Sequence, residues 1–237
     1  MKGKGSDFFW PSFADLMTSL FFIMLVLYVL SYVMLKNKEN ELKQQVEDLD
    51  RKLRVYTLVE QNLKPMQEDT NLFRYEAQYK RFTLAFDVKF AIEKVKITET
   101  DLENYSATVA KINEVGKSLR RIIDRLIREK QTNPQLNDVS YLLIISGYAS
   151  NLTGDIEHEE YMRSYNRAWH LWNHWKTRGI DFENKHYEGL VDVQISGNGW
   201  GGLGRFDRDP ENGFKNEKKN QRFIIQIVPK IGNTNVE

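Results

Sequence analysis

At 237 residues, the chain has room for one membrane helix and one globular domain of ordinary size. A formal net charge of +1 sets up no field that would draw a polyanion to the whole molecule, so no nucleic-acid partner is expected of this chain. The sequence contains no cysteine, which excludes a disulfide framework and a thiol nucleophile.

Residues 1–11 read as a short polar and aromatic tail, and Pro11 suits the first turn of a helix, where its missing N–H costs nothing. Residues 12–35 follow as an expected transmembrane helix. From Leu16 to Leu35 no residue is charged, about the ~20 apolar residues a helix needs to cross a bilayer core. The run is longer than the apolar part of a signal peptide and no small-x-small cleavage site follows, so the helix is expected to stay as an anchor. Asp15 lies one turn inside its start. A carboxylate at membrane depth costs on the order of 2.5–3.5 kcal/mol on insertion scales, which makes it an ion-carrying candidate. An interfacial Asp favoured by the positive end of the helix dipole is the other reading, and position alone leaves both open. Thr18 and Ser19 lie on the same side as Asp15 and are candidates for an ion path. Hydroxyls in such helices also bond back to their own carbonyls.

Residues 36–80 are expected to form a helical linker. Leu42, Val46, Leu49, Leu53 and Tyr56 alternate spacings of four and three, a heptad seam that favours a parallel dimer; packing of one amphipathic helix on its own domain is the alternative. The pattern resumes at Leu63, and Pro65 is expected to end the helix.

Residues 81–230 read as one α+β domain in the order β-α-β-α-β-β, with residues 231–237 as a tail. Phe82–Phe90 alternates like a strand. A helix over roughly 101–130 carries Val109, Ile112, Leu119, Ile122, Ile123, Leu126 and Ile127 on one face. Val139–Gly147 is a buried strand, and a second helix over about 157–178 is capped by Gly179. Val191–Ser196 and Arg222–Val228 are two more strands, joined by a glycine-rich loop.

Two stretches carry family resemblances. Phe9-Trp10-Pro11-Ser12-Phe13-Ala14-Asp15-Leu16-Met17-Thr18-Ser19 resembles the start of the membrane helix in MotB-type subunits of ion-driven motors. Its Ser-Phe-Ala-Asp-Leu-Met-Thr-Ser form is similar to the ZorB-type subunits of Zorya anti-phage defence systems. Gly147-Tyr148-Ala149-Ser150, Arg163 to Ala168, Gly197-Asn198-Gly199 and Asn220-Gln221-Arg222 resemble the OmpA-type peptidoglycan-binding domain over about residues 82–229.

The first resemblance implies a dimer held within a ring of MotA- or ZorA-like multi-span partners in the bacterial inner membrane. It also implies a cytoplasmic N-terminus, a periplasmic C-terminal domain and Asp15 carrying protons or sodium. The second implies wall binding by Gly147, Ser150, Asn151, Ser164, Arg167 and Arg222, with Arg167 taking the carboxylate of a zwitterionic diaminopimelate side chain. A guanidinium fork takes a carboxylate bidentately, which Lys cannot copy. The family's Asp is replaced by Ser150, its helix asparagine by Glu160 and its leucine by Arg163. Asp155, Glu157, Glu159 and Glu160 are the carboxylates near enough in sequence to take over the missing one.

Other signals are weaker. Gly197-x-Gly199-x-x-Gly202 follows a strand but opens no helix, so it reads as a loop and not as a dinucleotide site. His170 and His174 lie four apart without a third ligand, and no metal or cofactor is expected. Trp169, Trp172 and Trp175 read as a mixture of core and exposed contacts. With no nucleophile elbow or P-loop, the chain is not expected to be an enzyme. Together the two resemblances imply a wall-anchored motor subunit of anti-phage defence. A flagellar-type stator subunit and a passive membrane-to-wall tether are the alternatives.

Overall fold

The computed structural model describes residues 9–91, 93–151 and 158–231, in two compact units, Met1–Leu53 and Arg54–Glu237. The first helix, α1 (Phe9–Glu68), runs through both.

In the first unit, the apolar side chains from Leu16 to Leu35 are exposed on every side of α1, among them Phe21, Tyr28 and Leu35 at 62%, 69% and 69%. A helix that is apolar all round and finds no protein to cover it is suited to lipid. Among the described residues, α1 is the one helix long and apolar enough to cross a membrane. Beyond the apolar run the surface becomes charged. Lys36, Lys38, Lys43 and Lys52 each pair with a carboxylate three or four residues away.

In the second unit, the last turns of α1 bury Val55, Val59, Leu63 and Met66 in the domain core. Three expectations change in this unit. Pro65 lies inside α1, which continues to Glu68; a proline one turn from the end removes only one backbone bond, and the Pro65 carbonyl still accepts from the Asp69 N–H at 3.2 Å. Leu63 belongs to the core and not to the heptad seam. Strand β1 (Phe73–Glu76) also falls within the stretch expected to be a helical linker. It pairs antiparallel with β2 (Arg81–Leu84), so the folded unit begins well before residue 81.

Helix α2 (Tyr105–Thr132) buries Val109, Ile112, Leu119, Ile122, Ile123, Leu126 and Ile127, the face the sequence assigns to it, together with Val115 and Gly116. Strand β3 (Val139–Gly147) leads to helix α3 (His158–Lys176) and then to strand β4 (Val191–Gly197), parallel to β3. After the glycine-rich loop and a short helix, α4 (Lys215–Lys219), strand β5 (Phe223–Ile231) returns between β3 and β2. The sheet order is β1-β2-β5-β3-β4.

Gly179 has φ +76° and ends α3, and Ile180 N–H closes on the Trp175 carbonyl at 3.0 Å. This is the glycine C-cap read from the sequence. The strand expected over Phe82–Phe90 is shorter: β2 stops at Leu84, and Phe90 keeps only an isolated bridge to Leu102.

Candidate functional site

The first candidate is Asp15 in α1, the single charged residue between Phe9 and Leu35. Thr18 and Ser19 follow at the three- and four-residue spacings that put side chains on one helix face. Their hydroxyls are already used: Thr18 Oγ1 donates to the Ala14 carbonyl at 2.7 Å and Ser19 Oγ to the Asp15 carbonyl at 2.9 Å. Of the two readings of these hydroxyls, the chain by itself adopts backbone bonding. A single exposed helix encloses no path, so a partner would have to supply the rest of one.

The heptad residues Leu42, Val46, Leu49, Leu53 and Tyr56 are all exposed, at 50–65%. The neighbouring stripe at Val55 and Val59 is the one that packs on the domain.

The second candidate lies where the C-terminal ends of β3 and β4 meet α3. Close approach of helix and sheet explains two glycines. A Cβ on Gly147 would lie 2.1 Å from the Ser164 carbonyl oxygen, and one on Gly197 would lie 2.6 Å from Ser164 Oγ. Ser164 is fully buried. Its hydroxyl donates to the Tyr161 carbonyl at 2.8 Å and accepts from the Gly199 N–H at 2.8 Å. Gly147, Ser164 and the Gly197–Gly199 turn are thus brought together, but as the seam between α3 and the sheet.

Arg167, one turn further along α3, is 2% exposed. Its Nε donates to the Lys94 carbonyl at 3.2 Å and its Nη1 to the Tyr148 carbonyl at 3.4 Å. Its guanidinium carbon lies 4.4 Å from the centre of the Phe90 ring. Burial, and then the nearby Arg163 charge, pull its pKa down to about 9. Among the described residues no carboxylate pairs with it. Uncompensated buried charge is costly, so this position is one where an incoming carboxylate would gain. Asp155 and Glu157, two of the acids expected to replace the family's Asp, lie outside the described residues.

Ser150 accepts a bond from Gln221 Nε2 at 3.1 Å. Asn151 is fully buried, and its N–H donates to Glu217 Oε2 at 2.7 Å. Arg222, expected at the wall site, instead pairs with Glu76 at 3.1 Å and donates to the Gly204 carbonyl. Burial lowers its pKa, opposed by the Glu76 charge. It works beside Arg81, which pairs with the same Glu76 at 2.7 Å and donates to the Leu203 carbonyl at 2.6 Å. Arg205 bonds to the Ala149 carbonyl at 2.9 Å and to fully buried Glu217 at 2.6 Å. Asn220 closes the loop with two bonds to the Phe206 backbone, at 2.9 and 3.0 Å.

Sequence reading missed Glu76, Arg81, Arg205 and Glu217. Glu217 sits in a Lys- and Asn-rich run that reads as solvated, and its partners are remote in the chain. His174 Nε2 faces Asn113 Oδ1 at 2.9 Å, and no group of three or more His, Cys, Asp or Glu placed to hold a metal occurs among the described residues. Trp172 and Trp175 are buried and Trp169 is 42% exposed.

No protein-family model matches the sequence, and no curated protein is similar to it. Solved structures overlap it in part. A putative MotB-like protein from Desulfovibrio vulgaris is 12% identical over 75% of this chain and 93% of its own, with a TM-score of 0.38. An outer membrane protein from Borrelia burgdorferi is 17% identical over 66% and 96%, with a TM-score of 0.37. The cell wall anchor of the T6SS from Pseudomonas aeruginosa is 13% identical over 73% and 96%, with a TM-score of 0.33.

Proposed function

We propose that the chain is a dimeric subunit of an ion-driven motor in the bacterial inner membrane, with its C-terminal domain held by peptidoglycan. The carrying observation is Asp15: one carboxylate in a helix that is apolar and uncovered on all sides from Leu16 to Leu35. A passive anchor does not need that acid, and insertion is penalised by it.

In this reading, two copies pair through the Leu42–Tyr56 seam and present their Asp15 helices to a ring of multi-span MotA- or ZorA-like subunits. Protonation neutralises Asp15 and weakens its attraction to polar groups of the ring, and release restores it. Each charge crossing supplies ~2.3 kcal/mol per 100 mV of membrane potential. The domain gives the ring something to work against, with Arg167 taking a carboxylate of the wall peptide. The Ser-Phe-Ala-Asp-Leu-Met-Thr-Ser sequence favours anti-phage defence over flagellar rotation.

Asp15→Asn tests the motor, because it keeps size and polarity but cannot ionise. Normal insertion and partner assembly with loss of all ion-driven activity is expected. Full activity of the variant in cells would remove the mechanism and leave the passive tether.

A further inference from the structure

Cations on the described surface are not all treated alike. Along α1, Lys36, Lys38, Lys43 and Lys52 have carboxylate partners at three or four residues. On α2 the spacing instead brings cations next to cations. Lys117, Arg121, Arg125 and Arg128 recur at four, four and three residues and all are exposed. Among the described residues none of the four pairs with a carboxylate. Like charges at such spacings repel one another, and the stripe is exposed, so it does nothing for the packing of α2. It covers about 16 Å of helix at 1.5 Å per residue.

One end of the stripe opens into a groove of about 830 Å³, where Lys117 and Arg121 are joined by Arg178 from the turn after α3. Asp69 and Glu114 line the same groove. Asp124 and Arg120 line it too; Asp124 accepts from the Tyr187 hydroxyl at 2.7 Å and lies 3.9 Å from the Arg120 guanidinium. A cationic stripe beginning in a groove of both signs fits a ligand that repeats carboxylates and also carries an ammonium. A phosphodiester surface would be repelled by Asp69 and Glu114. Arg forks match carboxylates in plane.

We propose that this groove and the α2 stripe form a second wall contact, separate from the Arg167 position, which takes the carboxylates and amine of peptidoglycan peptides. The proposal rests on the wall-binding reading above. Its contribution is electrostatic and multivalent, because several weak exposed contacts add along one polymer and are screened by salt.

The test uses the full chain in detergent, co-sedimented with purified sacculi at about 0.05 and 0.5 M NaCl, which shortens the screening length severalfold. The variant Lys117→Gln/Arg121→Gln/Arg125→Gln/Arg128→Gln alters only exposed side chains. At low salt it should bind at least tenfold more weakly than wild type and lose most of the salt dependence. A second variant, with the three arginines changed to Lys, should keep the salt dependence. Wild-type affinity and salt dependence in the Gln variant would overturn the second contact while leaving the wall reading intact. No binding of the wild-type chain to sacculi at either salt would overturn the wall reading and this proposal with it. Tighter binding to phosphatidylglycerol vesicles than to sacculi, lost in the Gln variant, would overturn the choice of carboxylates over phosphates.

Discussion

Replacing Arg167 by Met separates a ligand role from a role in the fold. Met keeps an unbranched stem over the Phe90 ring and can place sulfur against it. The energies acting on Arg167 nearly cancel. Two hydrogen bonds from a charged donor are worth about 1.5–3 kcal/mol each, and the Phe90 contact adds up to about 2 kcal/mol when desolvated. Against this, a fall from 12.5 to about 9 corresponds to on the order of 5 kcal/mol weighing on the charged form. Arg167→Met removes both sides of that balance. It leaves the buried Tyr148 carbonyl without its donor, whereas Lys94 is exposed and its carbonyl can turn to water. The expected loss is about 1–3 kcal/mol, read by urea unfolding with the fluorescence of buried Trp172 and Trp175. Binding to sacculi should fall more than tenfold, because the carboxylate loses its charged partner. Binding equal to wild type would refute the ligand role. A chain that no longer folds would show that Arg167 is held for the fold alone.

Single cysteines at Leu42, Val46 or Leu49 should form dimer crosslinks in membranes, while Lys43 and Glu47 should crosslink less; equal yields at all five would remove the seam. Gly147→Ala should destabilise the chain by about 1–3 kcal/mol, since the added carbon would overlap the Ser164 carbonyl and push α3 off the sheet; an unchanged urea midpoint would contradict that close approach. Burial, and then Arg178, lower the His174 pKa from 6.5 to about 4, so the unfolded chain takes its proton first. Stability from this group is present above about pH 6.5 and lost as pH falls towards 4. The effect is no more than about 2 kcal/mol after solvent screening, and His174→Gln should flatten that part of the stability–pH curve.

Periodicity made most of the scaffold legible. The buried face of α2, the whole of β3 and the Gly179 cap follow from spacing and one left-handed turn, all local signals. Strand β1 was not legible, because Phe73–Glu76 is too short to show alternation and is defined by its pairing with β2. Phe82–Phe90 alternated beyond its real pairing, since β5 offers β2 partners only at Phe82 and Thr83. The sheet-end site was legible as a set of residues but not as a set of roles. Arg222 and Arg167 look alike in sequence. One is committed to Glu76 and the other has no acid among the described residues, and that difference depends on Glu76, nearly 150 positions away from Arg222 in sequence.

The two readings of the helix after the span, dimer seam or packing on its own domain, do not exclude each other. At 100° per residue, Leu42, Val46, Leu49, Leu53 and Tyr56 cluster on one side of α1, while Val55, Val59, Leu63 and Met66 cluster roughly a quarter turn away. The second set is buried in the core and the first is exposed. Burial of Val55, Val59, Leu63 and Met66 therefore uses a different side of the helix from the one that carries the seam. In the proposed motor, Val55, Val59, Leu63 and Met66 would fix the end of α1 in the domain core, and pairing through the seam would hold two such helices in register.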